Sequence, residues 1–73
     1  MTFIEDLKRN SLWLILVETA QSLPMYRHHK AYVRDSILPE EPEVSAEDLT
    51  HRLNIPLGEA IVILAELRNG GAD

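Results

Sequence analysis

Apolar residues recur along this chain at helical spacing, about 100° per residue, and polar breaks cut the pattern into four segments. In the first segment, Thr2–Leu23, Thr2 and Glu5 fit a capping box, in which each side chain satisfies a free amide at the helix start. Phe3, Ile4 and Leu7 share one face. Leu12, Trp13, Leu16, Val17, Ala20 and Leu23 share nearly the opposite one. Either the helix breaks near Asn10-Ser11, with Ser11 capping a second piece, or one long helix packs on two sides; the break is the preferred reading. The run Trp13–Val17 is not read as a strand, because its flanks have helical period and no partner strand is visible.

Pro24 opens the second segment, and the pattern places it in the first turn of a helix, where its missing N–H costs nothing. Over Met25–Leu38, the residues Met25, Tyr26, His29, Tyr32, Val33 and Ile37 are assigned to one face. Arg27, Lys30 and Arg34 are assigned to the other. Pro39 stops this helix. Residues 39–44 begin Pro-Glu-Glu-Pro-Glu, which reads as a solvated, semi-extended acidic linker.

The clearest local signal comes next. Ser45 can cap a helix, with Asp48 in the reciprocal role, and Val44 and Leu49 stand at the two positions of a hydrophobic staple. That helix runs to about Leu53. Asn54 can take the left-handed conformation that ends it, and Ile55-Pro56 turns the chain. The last helix spans roughly Leu57–Asn69 and is stopped by Gly70-Gly71.

The stretch Ser45–Leu67 resembles the helix-turn-helix of winged-helix proteins. It has a capped first helix, a short turn containing Ile55, and core positions at Leu49, Leu53, Ile55, Ala60, Leu64 and Leu67. The resemblance implies a DNA-binding fold, but two features depart from it. Only three residues follow Gly70, so no C-terminal β-wing is expected. The outward side of the last helix carries no Arg, Lys, Asn or Gln ahead of Arg68 to read base edges.

The expected architecture is therefore all-α. It is a compact bundle of four helices, or five if the first segment breaks, ending in a helix-turn-helix pair. Residues 1–73 form one domain, with N-terminal helices in 1–38, the linker in 39–44 and the pair in 45–69.

Charge sharpens this picture. Residues 1–36 hold five Lys/Arg against four Asp/Glu, and residues 37–73 hold two against eight, in a chain of net charge −5. An acidic half is a poor phosphate-binding surface, because that binding needs Lys and Arg to displace counterions. The stripe Arg27, Lys30 and Arg34 is the one basic candidate. It reads first as a solvated face, and otherwise as a dock for phosphate or for the chain's own acidic half. The longest apolar run, Leu12–Val17, is far short of the roughly 18 residues a membrane span needs, and no signal peptide is visible. A cytoplasmic protein is expected.

Catalytic and ligand chemistry have little support. The chain has no cysteine, so it offers no disulfide and no thiolate metal site. His28 and His29 point about 100° apart and His51 lies elsewhere, so no metal set forms. His29 reads as a hydrogen-bonded core residue. There is no phosphate loop and no nucleophile motif. No catalytic residue, cofactor, metal or small-molecule substrate is expected, and so short a chain has little room for a pocket of ~300 Å³ or more.

The last helix stands out. Ala60, Ile63, Leu64 and Leu67 form its inner face, and Leu57, Ile61, Val62 and Ala65 continue the apolar surface around it. Glu59 and Glu66 remain as a narrow wet stripe. A helix apolar nearly all round is either central to its bundle or part of an interface. The favoured reading is an interface at Leu57, Ile61, Val62 and Ala65, in a non-enzymatic interaction or dimerisation module whose partner is a second copy or another protein. The alternative is a winged-helix-type transcriptional regulator lacking its wing. Specific DNA binding is not expected.

Overall fold

The computed structural model describes residues 11–69. Among them are four helices and no strand, in an all-α globule with principal extents of 33 × 25 × 23 Å. The Thr2/Glu5 capping box, the face of Phe3, Ile4 and Leu7, and the Gly70-Gly71 stop lie outside the described residues. A break at Asn10-Ser11 falls on their boundary.

Helix α1 is Ser11–Gln21. Its inward side carries Ala20, which is buried, with Leu16 and Val17 packed on the core and Leu23 following in the turn. Leu12, assigned by its spacing to that face, is instead 69% exposed. It sits at the edge of the apolar arc, and the arc is wider than the core that receives it.

Helix α2 is Tyr26–Tyr32, and it runs straight into one π-helical turn, Val33–Ile37. Pro24 is not in the first turn of α2. It lies in the preceding turn, where the Tyr26 N–H bonds the Leu23 carbonyl at 3.0 Å. In the π turn the Leu38 N–H reaches five residues back to the Val33 carbonyl at 2.9 Å. Such a turn inserts one extra residue into the helical ladder. Val33 and Ile37 both remain buried across it. The predicted face is only partly inward: Tyr26, Val33 and Ile37 are buried, while Met25 and Tyr32 are each 51% exposed.

The acidic stretch after Pro39 is anchored at several points. Val44 is part of the core. Arg68 donates to the carbonyls of Pro42 (2.9 Å) and Val44 (2.7 Å), and Arg52 donates to Glu41 at 2.6 Å. A segment read as a free linker is thus tied from two helices.

Helix α3 is Ala46–Leu53. Ser45 Oγ accepts the Asp48 N–H at 3.0 Å, and Val44 and Leu49 are both buried, as the staple requires. The Asp48 carboxylate pairs with Arg52 at 3.1 Å, one turn on. Asn54 adopts φ 56° and ψ 49°, the left-handed end that its sequence position suggests.

Helix α4, Leu57–Arg68, is the centre of the molecule and packs on α1, α2 and α3. Ala60, Val62 and Ile63 are fully buried, and Leu64 nearly so.

Candidate functional site

Two acids on α4 fall on one line of the helix because they are seven residues apart. Both turn toward α2. Glu59 is a buried carboxylate whose side chain is 2% exposed, and His29 Nδ1 stands 2.7 Å from its Oε2. With the ring N–H donating, the carboxylate has a partner in a place where an unpaired charge would be costly. The expectation of a hydrogen-bonded histidine at position 29 holds, and the partner is the residue sequence analysis assigned to a wet stripe.

Glu66 gathers three donors. The Tyr26 hydroxyl bonds Oε1, Lys30 Nζ donates to the same oxygen at 3.1 Å, and Gln21 Nε2 donates to Oε2 at 2.8 Å. One carboxylate thereby ties the end of α1 and the first turns of α2 to α4. Burial pushes the Glu66 carboxyl up. The bonds from Tyr26, Lys30 and Gln21 and the charge of Lys30 outweigh it, so the group lies below its ordinary 4.5. Burial also pushes the Tyr26 phenol well above its ordinary 10.0, reinforced by its bond to Glu66 and by the negative charges of Glu66 and Glu59. Charged-partner bonds of this kind are the stronger sort.

The basic stripe does not survive as one surface. Lys30 is turned inward to Glu66, because it lies one turn after Tyr26 and so flanks the buried line of α2. Arg34 pairs with its neighbour Asp35 at 2.9 Å, and its bond holds the Asp35 carboxyl down. Arg27 is exposed. Of the three, Lys30 docks on the chain's own acidic half.

The four residues proposed as an interface also separate. Leu57 is 45% and Ile61 37% exposed, and Ala65 is half-buried. Val62 is fully buried and belongs to the core. Its flank of the helix adjoins the one carrying Glu59 and Glu66, and that flank is covered by α2. Correcting the two acids therefore corrects Val62 as well.

An open depression of about 540 Å³ lies between the acidic stretch and the start of α3, lined by Glu41, Glu43, Val44 and Asp48 among others. Two of its acids are already engaged by Arg52, whose guanidinium is held above its ordinary value first by the bond it donates to Glu41. Among the described residues no three His, Cys, Asp or Glu are grouped to hold a metal ion, and no helix is long and apolar enough to cross a membrane. No family model, no curated protein and no solved structure matches the chain.

Proposed function

We propose that this chain is a non-enzymatic interaction module derived from a helix-turn-helix pair, in which the outward strip of α4 contacts a partner protein. One observation carries the reading. Helix α4 turns its acids inward and leaves Leu57 and Ile61 in solvent. The helix that would enter a DNA groove in a winged-helix protein thus presents aliphatic groups. It offers no donor matched to base edges there. Arg68, the basic residue nearest the strip, is committed to the carbonyls of Pro42 and Val44. Exposed aliphatic residues framed by a satisfied polar network fit a protein contact better than a phosphate contact.

Titration of labelled DNA duplexes over a range of salt tests this reading against the regulator alternative. The contact reading expects no sequence-selective binding at physiological salt. Selective sub-micromolar binding, with log affinity falling linearly against log salt, would overturn it in favour of a DNA-binding regulator.

A further inference from the structure

The pair of Glu59 and His29 has a second side. His29 Nδ1 donates to the Glu59 carboxylate at 2.7 Å, and that carboxylate is buried. A neutral ring therefore carries its one proton on Nδ1 and leaves the Nε2 lone pair bare. Nε2 has no hydrogen-bond partner among the described residues, and none of their enclosed side-chain nitrogens or oxygens is left unpaired. It therefore meets solvent, in a side chain that is 24% exposed. A carboxylate behind one nitrogen and an open lone pair on the other is how proteins orient a metal-ligating imidazole and raise its basicity.

A second donor stands one turn away. Met25 is exposed, and its carbonyl accepts the His29 N–H at 2.9 Å, the bond that opens the helical run through residues 26–37. Around the helix, His29 lies between the buried line of Tyr26 and Val33 and the exposed position of Met25. Glu59 holds the ring from the core side, so Nε2 is turned to the Met25 side. Helical side chains also lean toward the N-terminus, which carries the ring over the Met25 turn. Residues at this spacing have Cβ atoms about 5–6 Å apart, and a flexible methionine can bring its sulfur to the ring.

We propose that Met25 Sδ and His29 Nε2 form a binding site for Cu(I). Thioether sulfur is a soft donor that selects this ion, and imidazole also suits copper. Zn(II) calls for a tetrahedron of ligands, and among the described residues no three His, Cys, Asp or Glu are grouped to supply it. Ca(II) and Mg(II) call for several oxygens, whereas Glu59 and Glu66 are engaged by His29, Tyr26, Lys30 and Gln21. Cu(I) is satisfied by two soft donors and binds without a change of oxidation state. The net charge of −5 favours a cation, and the Glu59 carboxylate lies directly behind the ring. Met25 holds the one sulfur among residues 11–69, in a chain with no cysteine, so no softer donor competes there.

Anaerobic titration of the full chain with Cu(I), supplied as its acetonitrile complex, tests this by NMR. Before metal is added, the neutral His29 ring should show its proton on Nδ1. One equivalent of Cu(I) should shift the Met25 methyl and His29 Nε2 signals together, with a Kd at or below about 10 µM. Met25→Leu keeps an exposed apolar side chain and should weaken binding by about tenfold or more. His29→Gln can still donate to Glu59 but loses the ring lone pair, and it should weaken binding by about as much. His51→Ala, on α3, should leave affinity within about twofold. Should His29→Gln fail to fold, Met25→Leu decides alone, since Met25 is exposed. Absence of binding, unchanged affinity in Met25→Leu, or a loss on His28→Ala instead of His29→Gln overturns the site. So does a neutral His29 ring protonated at Nε2.

Discussion

The two sides of α4 invert what their composition suggests. One side carries Glu59, which is buried, and Glu66, which is half-buried against α2. The other carries Leu57 and Ile61 and is wet. Burial here follows partners rather than polarity. Each acid meets a donor on α2, so enclosing it costs little, while the aliphatic pair has no helix above it among the described residues. Charge on a helix wheel marks a solvent face only when no counter-charge is brought to it from elsewhere in the fold.

The contrast is sharpest at two adjacent residues. Val62→Asp places a carboxylate in a fully enclosed apolar site and should cost about 3–5 kcal/mol or abolish folding in denaturant titrations. Ile61→Asp, one residue earlier, should change monomer stability by less than about 1 kcal/mol. Comparable losses would mean that the face division of α4 is wrong.

The polar side can be broken next. His29→Ala leaves the Glu59 carboxylate without its imidazole partner and should cost about 1–3 kcal/mol, read from the same unfolding curves. No loss would mean that another group or water satisfies Glu59.

Titration reports on the Glu66 hub. The folded Tyr26 phenol holds its proton above the pH at which the unfolded phenol, near 10.0, releases it. Titration of Tyr26 therefore leaves stability unchanged below pH 10 and lowers it as pH rises above that toward the folded value. Glu66 shifts the other way. Its contribution is complete above about pH 4.5 and is lost as pH falls through its lower folded value. Tyr26→Phe should flatten the alkaline limb of a stability–pH profile. An unchanged limb would contradict the enclosed phenol.

The smallest expected effect is at the α1–α4 seam. Gly58→Ala improves helix propensity by up to about 1 kcal/mol, and it pushes on the flexible end of Leu16. The two oppose, so the net change in a thermal melt should stay within about 1 kcal/mol of wild type. A larger loss would show that Leu16 cannot move aside.

What was legible in the sequence depended on range. Ser45, the Val44/Leu49 staple, Asn54 and Pro39 act within a few residues of themselves, and each does what its local chemistry suggests. The candidate site was not legible in the same way. Glu59 and Glu66 find their partners 30 and 40 residues away in His29 and Tyr26, and no local pattern encodes that pairing. Lys30 was read first as solvated for the same reason, and the other reading, a dock on the chain's own acidic half, is the one its contact with Glu66 supports. Its position one turn after Tyr26 was visible, but a lysine is read as solvent-facing until an acid is known to await it. The helical period of Met25–Leu38 likewise does not distinguish the π turn at Val33–Ile37 from an ordinary α-helix. Leu57 and Ile61 were read correctly as outward and Val62 incorrectly, because a wheel apolar nearly all round does not say where the core lies.

The inversion of α4 is tested most directly by thiol labelling, since the chain contains no cysteine. Ile61→Cys and Val62→Cys would be compared in dilute solution, where any dimer is dissociated, with a maleimide reagent. The account predicts that the thiol at 61 reacts at a rate approaching that of the unfolded chain. The thiol at 62 should react only through opening of the fold, slower by at least about a hundredfold. Equal rates at the two positions, or faster labelling at 62, would contradict the account.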